Sequence, residues 1–122
     1  MLSDIQVFEN KELGKISVIE IDNQLWWVLK DVCVLLGLSS PHKVADRLDE
    51  NERNQIPLID GVGRKQNTAI INESGLYDVI LRSDKPKAKA FRRWVTAEVL
   101  PSIRRHGAYI LDEVLEGARR FE

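Results

Sequence analysis

Two apolar runs, KISVIEI (15–21) and QLWWV (24–28), are separated only by Asp22-Asn23. A link that short, built from residues that tolerate turns, leaves a tight hairpin between antiparallel strands as the simplest path. IQVF (5–8) supplies a further strand upstream, and β-branched and aromatic residues dominate all three segments. Trp26 and Trp27 are adjacent, so in a strand their indoles must point to opposite faces. One is expected in the core and the other beneath a helix or in water.

The period changes at Lys30. KDVCVLLG (30–37) places Val32, Leu35 and Leu36 at helical spacing, with Gly37 able to supply a left-handed stop. Ser39-Ser40 and Pro41 then offer an N-cap and a first helical residue. The spacing predicts a second helix to about Leu48, its buried side marked by Val44 and Leu48 and ended by DENER (49–53). NQIPLID (54–60) and QNTAIINE (66–73) flank GVGRK and read as a hairpin with a basic, glycine-rich tip, Pro57 placing the first strand at an edge. Asn72, Glu73 and Ser74 are helix-start residues, followed by a stripe of Leu76, Val79 and Ile80 and an end near Arg82-Ser83.

A further helix is expected from Asp84, with Ala88, Phe91, Trp94, Val95 and Val99 on one arc and Lys85, Lys89, Arg92 and Arg93 on another. Pro101 predicts a kink or restart at Leu100, before SIRRH closes at Gly107. Phe8, Trp27, Tyr77, Phe91 and Trp94 are core aromatics by their spacing.

With 122 residues, 43% of them hydrophobic and 30% charged, the chain falls in the soluble, single-core class. LWWVL and VCVLLGL are far too short to span a bilayer, and MLSDIQVFENKE lacks the pattern of a signal peptide. A lone cysteine, Cys33, excludes an internal disulfide, and His42 and His106 have no metal-ligand spacing. An intracellular domain without a cofactor is the expectation. Carboxylates, histidines and GVGRK form no catalytic or phosphate-cradling pattern, so no enzyme is expected.

The net charge of −1 conceals a segregation: residues 61–107 carry ten basic and four acidic side chains, whereas 31–60 carry three and six. Local clustering of Lys and Arg, rather than the whole-chain sum, governs affinity for polyanions. Three places could use it. The helix pair around Gly37 has the small residue, the glycine and the apolar clamp of a helix-turn-helix. The turn must be one residue longer, which leaves His42, Lys43, Asp46 and Arg47 facing outward. The same pattern serves a plain helical hairpin over a sheet. Arg64 and Lys65 mark either a wing tip touching phosphates or a solvated turn, the latter favoured by sequence alone. Lys85, Lys89, Arg92 and Arg93 are offset only by Asp84 and Glu98, more one-sided than a merely solvated helix face.

Two longer stretches resemble the BRO-type N-terminal domain. LWWVLKDVCVLLGLSSPHKVADRLDENER is similar to its first signature, through Trp27, Val28, Asp31, Val32, Leu36, Gly37, Pro41 and Leu48. INESGLYDVILRS with KPKAKAFRRWVTAEVLPSIRRHGAY is similar to its second. There the matching positions are Glu73, Ser74, Gly75, Leu76, Tyr77, Phe91, Trp94, Val95, Val99, Leu100, Pro101 and Ile103. The resemblance covers about residues 5–109. It implies a compact α+β DNA-binding domain of the kind found in phage and prophage antirepressors and in proteins of large insect DNA viruses, usually followed by a variable C-terminal domain.

The fold expected is therefore α+β: a small N-terminal sheet, a helix-turn-helix-like pair, a wing-like hairpin and C-terminal helices. Residues 1–109 would form the domain. LDEVLEGARRFE (111–122) reads as an amphipathic helix, and 110–122 would serve as a linker or as the contact of a homodimer. The partner expected is double-stranded DNA in the cytoplasm of a bacterial host. Phosphates would lie on Arg64, Lys65, Lys85, Lys89, Arg92 and Arg93, and base edges on His42, Lys43 and Arg47. The competing reading is a protein-interaction module that binds and inactivates a phage repressor.

Overall fold

The computed structural model describes residues 5–59 and 62–106. The predicted segment 111–122, and Gly107 before it, lie outside that range. Residue contacts divide the chain into two units, 1–91 and 92–122.

In the first unit, strands β1 (Ile5–Asn10), β2 (Gly14–Ile21) and β3 (Gln24–Val28) form an antiparallel meander. Asp22 and Asn23 both take positive φ, 51° and 65°, as the predicted two-residue hairpin demands. Strands β4 (Arg53–Ile59) and β5 (Lys65–Asn72) form the second hairpin, and β5 docks antiparallel on β3. The sheet order is β1-β2-β3-β5-β4, so Pro57 does lie on an edge strand.

Alternation assigns residues to two faces, because opposite residues in an antiparallel register share a side. One face carries Ile19, Trp26, Val28, Ile56 and Ile70, with Ile21 and Leu58 packed against them. The other carries Ile16, Val18, Trp27 and Ile71, all buried. Both indoles are therefore interior, and neither ends in water.

Helix α1 (Leu29–Leu36) follows β3 without a loop and buries Leu29, Val32, Cys33, Leu35 and Leu36. Gly37 ends it at φ 76°: the Leu38 N–H donates to Cys33 O at 2.8 Å and the Gly37 N–H to Val34 O at 3.2 Å. This paired closure satisfies two carbonyls that the helix end would otherwise orphan. Asp31, in the first turn, accepts the Ser17 N–H at 2.9 Å and so ties α1 to β2. Helix α2 (Pro41–Asp46) starts at Pro41 as predicted but ends two residues earlier than Leu48. Val44 and Leu48 are buried, while His42, Lys43, Asp46 and Arg47 face outward.

The acidic run that was expected only to end α2 forms a 3-10 turn, Glu50–Glu52. Asp49 and Glu52 cap it reciprocally. This turn is the seat of α3 (Glu73–Arg82). The Ser74 hydroxyl donates to Glu52 Oε2 at 2.6 Å, and Asn72 Nδ2 donates to Asn51 O at 3.0 Å. Asn72 Oδ1 accepts the Gly75 N–H at 2.9 Å, the predicted N-cap. A Cβ on Gly75 would stand 3.0 Å from Glu52 O and 3.3 Å from Ile71 Cβ, so the glycine permits a close approach rather than a turn. Leu76, Val79 and Ile80 are buried as the stripe predicts, whereas Tyr77 and Phe8 are only half-buried. Phe8 sits on the edge strand β1, open along one side. Tyr77 lies one residue round the helix from Leu76, at the margin of the buried stripe.

Helix α4 (Lys87–Trp94) begins three residues later than Asp84. In the second unit a π turn, Val95–Val99, joins it to α5 (Leu100–His106). The restart expected at Leu100 is there, since α5 begins at that residue after the π turn, and the backbone stays helical through it. The Leu100 N–H reaches back five residues to Val95 O, and Leu100 keeps helical angles of −62° and −45°. Pro101 has no N–H and its ring crowds the carbonyl four residues back, so a locally widened turn lets the helix run through it. Trp94, Val95, Val99, Leu100 and Ile103 are buried.

Candidate nucleic-acid interface

All nine site residues singled out by sequence, His42 and eight Lys or Arg, are solvent-exposed. Among the described residues, ion pairs join Lys15 to Glu9, Arg53 to Asp46 and Arg82 to Asp78. Among those residues, no carboxylate pairs with Lys43, Arg47, Lys65, Lys85, Lys89, Arg92 or Arg93. A cation held by no acid is available to a phosphate without first breaking a contact.

Their placement follows from the fold. Lys89, Arg92 and Arg93 lie at i, i+3 and i+4 along α4, each exposed. Lys85 precedes the helix, in a turn where its carbonyl accepts the Ala88 N–H at 3.1 Å and its own N–H donates to Ser83 Oγ at 3.1 Å. Lys87, which sequence reasoning passed over, is exposed as well. Lys85 and Lys89 belong to the first unit, Arg92 and Arg93 to the second.

His42, Lys43 and Arg47 lie on or beside α2, which is fixed over the base of the β4–β5 hairpin. Arg53 supplies the strap, its Nη1 donating to Ala45 O at 2.9 Å and reaching Asp46 Oδ1 at 3.5 Å. Between α2 and the sheet lies a groove of about 710 Å³ lined by Leu29, Pro41, Ala45, Ala69 and Ile71, with His42, Gln55 and Asn54 among its polar groups. Arg64 and Lys65 sit at the opposite end of the hairpin. Six residue steps separate Arg53 from Ile59, so the tip lies roughly 20 Å along the strand from α2. The α2 cations and the tip cations thus occupy two ends of one hairpin rather than one patch.

Cys33 is buried on the inner side of α1, and that burial pushes its thiol above the ordinary value against the opposing charge of Arg47. A neutral, enclosed thiol is no nucleophile. Among the described residues no group of three or more His, Cys, Asp or Glu side chains could hold a metal ion, and no helix is long and apolar enough to cross a membrane.

Sequence reasoning missed Arg53, Gln55 and Asn67. The available signal was the period-two alternation of β4 and β5, which sets Gln55 and Asn67 on the side opposite Ile56 and Ile70.

Residues 15–101 match the BRO family, N-terminal domain. The chain is 32% identical over 104 residues to an uncharacterized protein of Haemophilus influenzae, covering 85% of this chain and 52% of that one. It is 34% identical over 107 residues to putative Bro-N domain-containing protein 289L of Invertebrate iridescent virus 6. It is 31% identical over 111 residues to protein 201R of the same virus, described in the same words. Each viral match covers 73% of this chain and 26% of the relative. The chain therefore spans about half the length of the bacterial relative and about a quarter of the viral ones. No solved structure matches.

Proposed function

Because the chain belongs to the BRO family, whose N-terminal domain it carries, we propose that it binds double-stranded DNA as part of a phage-type antirepressor or transcriptional regulator. The observation that carries this reading is the set of cations at and before α4, Lys85 and Lys89 in the first unit and Arg92 and Arg93 in the second, each exposed and unpaired among the described residues. Phosphates lie on these cations, and Arg64 and Lys65 hold the backbone at the hairpin tip. His42, Lys43 and Arg47 approach the duplex from α2. The domain takes in residues 1–109, works on DNA in the host cytoplasm and uses no catalytic group or cofactor.

Fluorescence anisotropy on a mixed-sequence duplex, titrated at several salt concentrations, tests the reading. Each neutralised phosphate contributes about −0.9 to the log–log slope, so four contacts give about −3.6. Absence of binding at low salt sinks it. The repressor-binding alternative then takes over, with the same cations facing an acidic protein surface.

A further inference from the structure

The β4–β5 hairpin is more than a support for its tip. Strand β3 pairs with β5 only at Ile70, Ile71 and Asn72, whereas β4 pairs with β5 from Arg53↔Ile71 to Ile59↔Lys65. Residues 55–59 and 65–69 therefore leave the sheet as a two-stranded ribbon, Lys65 standing about 17 Å along β5 from Ile70, the last β3 partner. Its two faces differ. Ile56 and Leu58 turn toward the Trp26 cluster and tether the ribbon. The opposite face presents Gln55, at the edge of the groove beside α2, then Pro57, Ile59, Lys65 and Asn67 further out, every one exposed, with Ile59 at 64%. From Arg53 to Asn72 the sequence holds one carboxylate, Asp60, so the ribbon has little to repel a polyanion.

The major groove of duplex DNA, about 12 Å wide, admits a two-stranded ribbon whose backbones lie about 5 Å apart. The exposed side chains match the chemistry displayed there. A carboxamide can pair in bidentate fashion with the N6 and N7 of adenine, an ammonium can donate to guanine O6 and N7, and an aliphatic group can meet the thymine methyl. Helix α2 is a weaker reader: six residues, about 9 Å, anchored by Arg53 and carrying Asp46 among its outward side chains.

We propose that this ribbon, through Gln55 and Asn67 with Lys65 and Ile59, reads base edges in the major groove, while the α2 cations hold flanking phosphates. The inference rests on the DNA-binding reading above, and deepens it by naming the element that confers sequence preference.

The test uses the full chain and a library of random duplexes. Wild-type protein and the Gln55→Ala/Asn67→Ala variant are each taken through selection, and each is titrated by anisotropy on one mixed-sequence duplex. Circular dichroism and thermal unfolding establish that the variant, altered only at exposed positions, is folded. The expected result is a motif enriched by wild type, with the variant losing its adenine positions. Affinity on the mixed duplex should stay within about twofold, with the same salt slope. Replacing those adenines by 7-deazaadenine, which lacks N7, should weaken wild-type binding to the selected motif about tenfold or more and leave the variant unaffected.

An unchanged motif in the variant overturns the proposal, as does wild-type binding with no enriched motif. In both cases DNA binding itself still stands. Absence of binding to any duplex at low salt removes the ribbon assignment and the DNA reading together, and only the anisotropy arm reports that outcome.

Discussion

Gly75 shows how far a residue's role can lie from its sequence neighbourhood. By propensity, alanine in its place should help α3 by about 1 kcal/mol. The structure opposes that gain with a backbone oxygen 3.0 Å from the would-be Cβ, and Glu52, which owns the oxygen, is held by its own capping box. Gly75→Ala is expected to destabilise the protein by roughly 1–3 kcal/mol, as overpacking against an unyielding wall does. Urea unfolding measures it, and a stabilised variant would mean that the 3-10 turn moves freely. Cys33 gives a second residue-scale expectation. Its raised thiol value favours the neutral form in the folded state, so its contribution is intact below the ordinary thiol range and is lost as pH rises through the raised value. Between pH 7 and pH 10 the wild type should lose stability relative to Cys33→Ala. The thiol should react with Ellman's reagent at neutral pH only on unfolding.

At the level of elements, much was legible because the signals were local. The Asp22-Asn23 turn, the Gly37 stop, the Asn72 cap and the apolar stripe of α3 all appear where the chain's own spacing puts them. What escaped was relational. The 3-10 turn at Glu50–Glu52 looks like a solvated acidic run until α3, more than twenty residues later, settles on it through Ser74. Asp31 looks like a first-turn acid until the Ser17 amide is seen to need it. The π turn was invisible because helical periodicity does not record a single inserted residue. The nine site residues were legible as exposed polar or basic positions, but their division between two ends of a hairpin and a helix depends on pairing partners that sequence does not display. If the capping arrangement seats α3, Asn72→Ala should cost about 1 kcal/mol, since it removes the Gly75 N–H acceptor. Hydrogen exchange should show the first turn of α3 opening ahead of its Leu76–Ile80 core, and equal protection along α3 would count against a seating role.

Across the whole molecule, charge is segregated: a formal net of −1 combines an acidic stretch at 31–60 with a strongly basic one at 61–107. A bulk-charge account and a local-cation account of DNA binding therefore make different predictions from the same total. Lys89→Gln, Arg92→Gln and Arg93→Gln together remove three positive charges and take the formal net from −1 to −4. So do Lys11→Gln, Lys15→Gln and Lys30→Gln, three exposed lysines around the first strands and the start of α1. If phosphates bind at the α4 cations, the first triple variant should lessen the steepness of the salt slope by about 2.7, the equivalent of three contacts. The second, with the same net charge, should leave that slope within experimental error and lower affinity only slightly at low salt, where long-range repulsion is least screened. Equal losses in the two variants would mean that net charge, not the α4 cations, governs the association. The footprint would then have to be sought away from α4.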